Sequence, residues 1–82
     1  MKESILLIED EIELQQNLKE ILEYNGFSTV TADNGQEGLH KLDKHKVDLI
    51  LCDIMMPVMD GFQFLRNLRS QPRFKFTPFI FL

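Results

Sequence analysis

Two acids, Asp10 and Asp53, each follow a run of apolar residues. Ile5-Leu6-Leu7-Ile8 leads through Glu9 into Asp10, and Val47-Asp48-Leu49-Ile50-Leu51-Cys52 leads directly into Asp53. Short apolar runs bounded by polar residues read as strands buried on both faces. In open parallel sheets, ligands bind beyond the carboxyl ends of the strands, which is where these acids fall. Neighbouring strands lie about 4.8 Å apart, so if the two strands adjoin, both carboxylates converge on one point. Carboxylates that close repel one another, and one takes up a proton unless a cation sits between them. A small hard divalent ion suits the donors. Mg²⁺ takes octahedral oxygen at about 2.1 Å and keeps several waters, which leaves room for a phosphoryl oxygen. A carboxylate can also act as the nucleophile in phosphoryl transfer, and Asp53, one residue past a rigid strand, is the candidate.

The elements that must hold these acids alternate strand and helix. After the first strand, Leu14, Leu18, Ile21 and Leu22 form an apolar stripe at helical spacing, with Gln15, Lys19, Glu20 and Glu23 on the other face. Asn25-Gly26 supplies a left-handed stop. Phe27 to Ala32 has the β-branched and polar mixture of an edge strand. Asn34, with Glu37 three residues on, resembles a capping box that opens a second, weaker helix in which Leu39 and Leu42 share a face and Gly35 and Gly38 are unfavourable. After the strand ending at Asp53, Asp60-Gly61 opens a third helix, with Gln63 at the capping-box offset and Phe62, Leu65 and Leu68 facing inward. Pro72 ends it, and Phe79 to Leu82 reads as a fourth strand. The order β-α-β-α-β-α-β, with such short connections, predicts right-handed crossovers and a parallel α/β sheet.

Composition narrows the function. Eighty-two residues with 44% hydrophobic and 27% charged side chains make one globular unit with no room for a second domain. The net charge of −4 argues against general attraction to nucleic acid or anionic lipid. Residues 1–43 hold ten acids and three bases, and residues 44–82 hold three acids and six bases, so a cation site belongs with the first half. One cysteine, Cys52, cannot form an internal disulfide, no segment reaches the roughly 20 apolar residues of a membrane span, and the amino terminus lacks a signal-peptide pattern. A cytoplasmic location is the expectation.

The stretches Ile5-Leu6-Leu7-Ile8-Glu9-Asp10-Glu11 and Asp48-Leu49-Ile50-Leu51-Cys52-Asp53-Ile54-Met55-Met56-Pro57-Val58-Met59-Asp60-Gly61 resemble the response regulator receiver domain, the CheY-like module of two-component signalling. The resemblance runs through the whole chain. It implies a flavodoxin-like, doubly wound sheet of order 2-1-3-4, in which Asp53 accepts phosphate from a histidine kinase or phosphotransfer protein. It further implies that Asp10 and Asp53 bind Mg²⁺ with their carboxylates, Met55 binds it with its backbone carbonyl, and Glu9 lies in the outer part of the acidic pocket. Such a module is a phosphoacceptor rather than an enzyme. Residues 1–82 correspond to part of the family pattern, ending within strand four. The family's Ser/Thr, fourth helix, fifth strand with its Lys, and fifth helix fall after Leu82. Phosphate uptake by the 82 residues alone is therefore expected to be impaired, because a transition state that relies on positive charge lacks the ammonium. One sheet face is expected to be uncovered, through either Leu6 and Ile8 or Ile5 and Leu7, and strand four is expected to be an open edge.

Other features read more plainly. Asp60 and Gly61 are cap and turn, Cys52 is packing, His40 and His45 are surface residues, and Asp10 could double as the cap of the first helix. Glu11 has a weaker claim to a direct role. Met55, Met56 and Met59 have no His or Cys partner at metal-binding spacing. Arg66, Arg69, Arg73 and Lys75, interleaved with Phe74 and Phe76, give only a faint nucleic-acid signal in an acidic chain. The alternative function is a non-catalytic assembly piece that forms homo-oligomers through the exposed sheet face or edge.

Overall fold

Apolar runs and helical stripes do alternate as the sequence predicts. The computed structural model describes residues 2–82 and contains β1 (Ser4–Ile8), α1 (Ile12–Tyr24), β2 (Ser28–Ala32), α2 (Gly35–Lys44), β3 (Leu49–Cys52), α3 (Gly61–Arg69) and β4 (Phe79–Phe81), with a 3-10 turn at Pro72–Phe74. The four strands are parallel in the order 2-1-3-4, a flavodoxin-like α/β arrangement. β1 and β3 are the inner pair, with Ile5 opposite Leu49 and Ile8 opposite Cys52.

Alternation along the strands sends Leu6, Ile8, Ile50 and Cys52 to one face. There they form a core with Leu42 of α2 and with Phe64 and Leu68 of α3. Phe79 and Phe81, opposite Ile50 and Cys52, lie on the same face, and the Phe79 ring stacks on Phe64 at 6.0 Å. α2 comes close because residue 38 is glycine: a Cβ there would stand 2.7 Å from Ile8 Cδ1. The two glycines that weaken this helix by propensity are therefore contact points, and it runs its full ten residues.

Three local expectations need correction. In α1 the buried residue is Gln15, while Leu14 and Ile21 are exposed and Leu18 and Leu22 half-buried. The helix is turned by one position relative to its apolar stripe, because the Gln15 amide satisfies carbonyl oxygens at the strand ends. In α3, Phe64 is sealed and Phe62 is 50% exposed, lying against the Phe81 ring at 5.1 Å. Asp10 does not cap α1. Glu11 occupies the cap position without a side-chain bond, and its N–H donates to Glu9 Oε2 at 3.0 Å.

The other caps behave as their residue types suggest. Asp60 and Gln63 form a reciprocal capping box at 2.8 and 3.0 Å. Asn34 accepts from Glu37 N–H at 2.9 Å, while the Glu37 carboxylate reaches past it to the Asp33 N–H at 3.2 Å. Gly26 ends α1 with φ at +92°.

The open face of the sheet belongs to the Ile5 and Leu7 set, although not at those two residues. α1 covers both completely, and the cover thins across the sheet through half-buried Leu49 and Leu51 to Ile80, which is 53% exposed.

Candidate functional site

The pairing of β1 with β3 decides where the acids go. Asp53 N–H continues the ladder by donating to Ile8 O at 3.0 Å, and Glu9 N–H turns to the other neighbour, donating to Ala32 O at 3.0 Å. Each strand therefore releases its chain at the same edge. Carboxylate oxygens of Glu9, Asp10 and Asp53 lie within 4.8 Å of one another. Oxygens around one octahedral Mg²⁺ are separated by about 4.2 Å at most. A small side-chain rotation thus lets this all-oxygen set share one hard ion, and the chemistry of the donors fits.

The three acids differ in surroundings. Asp10 is exposed and Asp53 half-buried, while Glu9, expected in the outer part of the pocket, is the deepest at 3% exposed. Burial pushes the Glu9 carboxyl above its ordinary value, the charges of Asp53 and Asp10 push the same way, and the Glu11 N–H opposes them. The cluster thus concentrates negative charge that an approaching cation relieves. Asp53 is held in place: its Oδ1 accepts the Ile54 N–H at 2.8 Å. The helix that follows abuts it as well. Gly61 N–H donates to Ile54 O at 2.9 Å, and a Cβ on Gly61 would meet Asp53 O at 2.5 Å. Residue 61 therefore needs glycine for close approach rather than for an unusual φ.

Gln15 is the positioning residue that sequence reasoning misses. It is 3% exposed, and its Nε2 donates to Glu9 O at 2.9 Å, Ala32 O at 3.1 Å and Asp33 Oδ1 at 2.9 Å. One side chain thereby ties α1 to the ends of β1 and β2 beside the acids. A glutamine among charged helix residues carries no signal for this. Val58 is the other surprise, with φ at +72°, a left-handed conformation that a β-branched residue rarely adopts, in the loop between Asp53 and α3.

The remaining singled-out residues differ in exposure. Met55, His40 and His45 are exposed, and Cys52 is buried. Burial, with the neighbouring charges of Asp53, Glu9 and Asp60, pushes the Cys52 thiol up to about 12, which suits a packing role. Arg69 donates to Phe74 O at 2.8 Å and Arg73 pairs with Asp43, so two of the basic residues fasten loops. No helix among the described residues is long and apolar enough to cross a membrane.

Comparison with known proteins agrees with this architecture. Residues 5–82 match the family model described as the response regulator receiver domain. Among curated proteins, the chain is similar to Response regulator Rre1 of Synechocystis sp., 40% identical over 80 residues that make up 96% of this chain and 35% of that protein. It is also similar to the transcriptional regulatory protein CpxR of Escherichia coli, 42% identical over 78 residues, 95% of this chain and 32% of that protein. The chain thus spans about a third of the length of these relatives. Among solved structures, the chemotaxis response regulator CheY4 of Vibrio cholerae superposes with a TM-score of 0.94 at 36% identity, covering 99% of this chain and 68% of that one.

Proposed function

The chain belongs to the response regulator receiver domain family, and from that premise we propose that it is a phosphoacceptor module of a two-component relay, with Asp53 as the acceptor. A carboxylate oxygen of Asp53 attacks the phosphorus of a phosphohistidine on a histidine kinase or phosphotransfer protein. The P–O bond forms, the P–N bond breaks, and the imidazole nitrogen leaves with the electron pair and takes a proton. Asp10, Asp53 and the Met55 carbonyl would hold Mg²⁺, with Glu9 in the outer shell. Bound there, the ion supplies positive charge against the phosphoryl oxygens. The chain's own part is to orient Asp53 through the Ile54 N–H and to hold the edge through Gln15. The module is a phosphoacceptor rather than an enzyme and works in the cytoplasm. The 82 residues cover 68% of the CheY4 chain, and on this reading the piece by itself accepts phosphate slowly.

The observation that carries this reading is the convergence of Glu9, Asp10 and Asp53 at the carboxyl ends of two adjoining strands. Incubation with acetyl phosphate and Mg²⁺, followed by intact mass measurement, tests it. Slow, Mg²⁺-dependent addition of one phosphate, lost in Asp53→Asn, is the expected result. Labelling that survives Asp53→Asn removes Asp53 from the role, and full, rapid labelling removes the impairment.

A second reading draws on the half-open sheet face. Ile80 and Leu82 are exposed beside the unpaired edge of β4, which suits homo-oligomer assembly without chemistry. Light scattering with and without Mg²⁺ separates the two: a monomer at all concentrations eliminates assembly.

A further inference from the structure

At the amino ends of the strands, opposite the acidic cluster, the loop entering β3 and the loop entering β4 border an open groove of about 500 Å³. That volume falls within the range of small-molecule sites. Its floor is apolar: Leu42, Val47 and Phe74 line it, and all three belong to or pack against the core cluster. Its rim is cationic. Lys44, Lys46 and Arg73 stand there with His45, against one acid, Asp43, in a chain whose net charge is −4.

These cations are not equivalent. Lys44 lies in the last turn of α2, where a positive charge complements the helix dipole, and Arg73 is held by Asp43 and lies 4.4 Å from the centre of the Phe74 ring. Lys46 belongs to no helix, and among the described residues neither it nor Lys44 joins a salt bridge. The half-buried Thr77 completes the lining. An apolar floor beneath unneutralised ammonium groups is complementary to a molecule with a flat apolar body and an anionic head. We infer that this groove binds a small organic anion of that kind, a carboxylate, sulfonate or phosphate monoester on an aromatic or branched apolar body. The inference does not depend on Asp53, because the two sites lie at opposite ends of the strands.

Titration of the 82-residue chain with naphthalene-2-sulfonate, followed by ¹H–¹⁵N correlation spectra, tests the site without offering a phosphodonor. The expected result is saturable shifts at Val47, Phe74 and Thr77, with the uncharged 2-naphthalenemethanol binding more weakly. Lys44→Glu with Lys46→Glu, both at exposed positions, reduces affinity by about tenfold, and added salt weakens binding in the parent chain. Unchanged amide shifts away from the groove establish that the double variant is folded, and Lys46→Ala, a milder change, gives an intermediate loss. Shifts centred instead on Leu51, Ile80 and Leu82, equal binding of the alcohol, no effect of charge reversal, or no saturable shift at all would each overturn the assignment.

Discussion

On the face of the sheet that carries Leu6, Ile8, Ile50 and Cys52, two helices close over these four side chains, whereas on the face that carries Ile5, Leu7, Leu49, Leu51 and Ile80 one helix covers β1 and leaves β4 largely open. Both faces come from the same apolar runs, with Ile and Leu alternating between them. The difference lies in what each strand is given to pack against. On the first face, Phe64, Leu68 and Leu42 share one buried cluster with the four strand residues. On the second, α1 spends its deepest position on Gln15, a polar anchor, and leaves Leu14 and Ile21 in solvent.

The contrast can be broken most forcefully from the closed face. Phe64→Ala empties the centre of that core and should cost about 3–5 kcal/mol in urea denaturation followed by circular dichroism. For so short a chain, that is enough to leave much of the population unfolded. Gly61→Ala acts where the closed face meets the acids. The new Cβ meets backbone rather than a yielding side chain, so α3 must shift, at about 1–3 kcal/mol. The same variant should weaken the Mg²⁺-induced rise in Tm by displacing the Asp53 peptide, which thermal melts with and without the ion will register.

On the half-open face, Gln15→Leu enlarges apolar contact yet strips donors from the Glu9 and Ala32 carbonyls. A loss of about 1–3 kcal/mol in the same denaturation assay is expected: Ala32 O keeps the Glu9 N–H, but the buried Glu9 carbonyl left without its donor outweighs the added methyl groups. Ile80→Thr should change stability by less than about 0.5 kcal/mol, since the site is already half in water. A cost comparable to that of Phe64→Ala, with a Tm that rises with protein concentration, would mean that a second copy covers this face in solution.

Much of this was legible residue by residue. The two apolar runs ending in acids, the Asp60–Gln63 capping box, the Asn25–Gly26 stop and the edge character of β2 all act through neighbours in the chain, so periodicity and residue type reveal them. The convergence of Asp10 and Asp53 followed from one topological condition, adjacency of β1 and β3, which the sheet meets. What escaped depends on partners far away in sequence. The burial of Gln15 in place of Leu14 turns on carbonyls of β1 and β2, and the choice of Phe64 over Phe62 turns on where α3 meets the sheet. The depth of Glu9 is set by how the chain turns towards Ala32. The basic groove brings together loops about 30 residues apart, and Val58 occupies a left-handed conformation that its residue type argues against.

The choice of glutamine at position 15 has an electrostatic consequence. A lysine there could donate to the same carbonyls, but it would bring a fixed ammonium beside the acids and act as an internal counter-ion, competing with any metal for the same field. The carboxamide grips both strand termini while remaining neutral. It leaves the edge's negative potential undiminished for whatever ion arrives from solution.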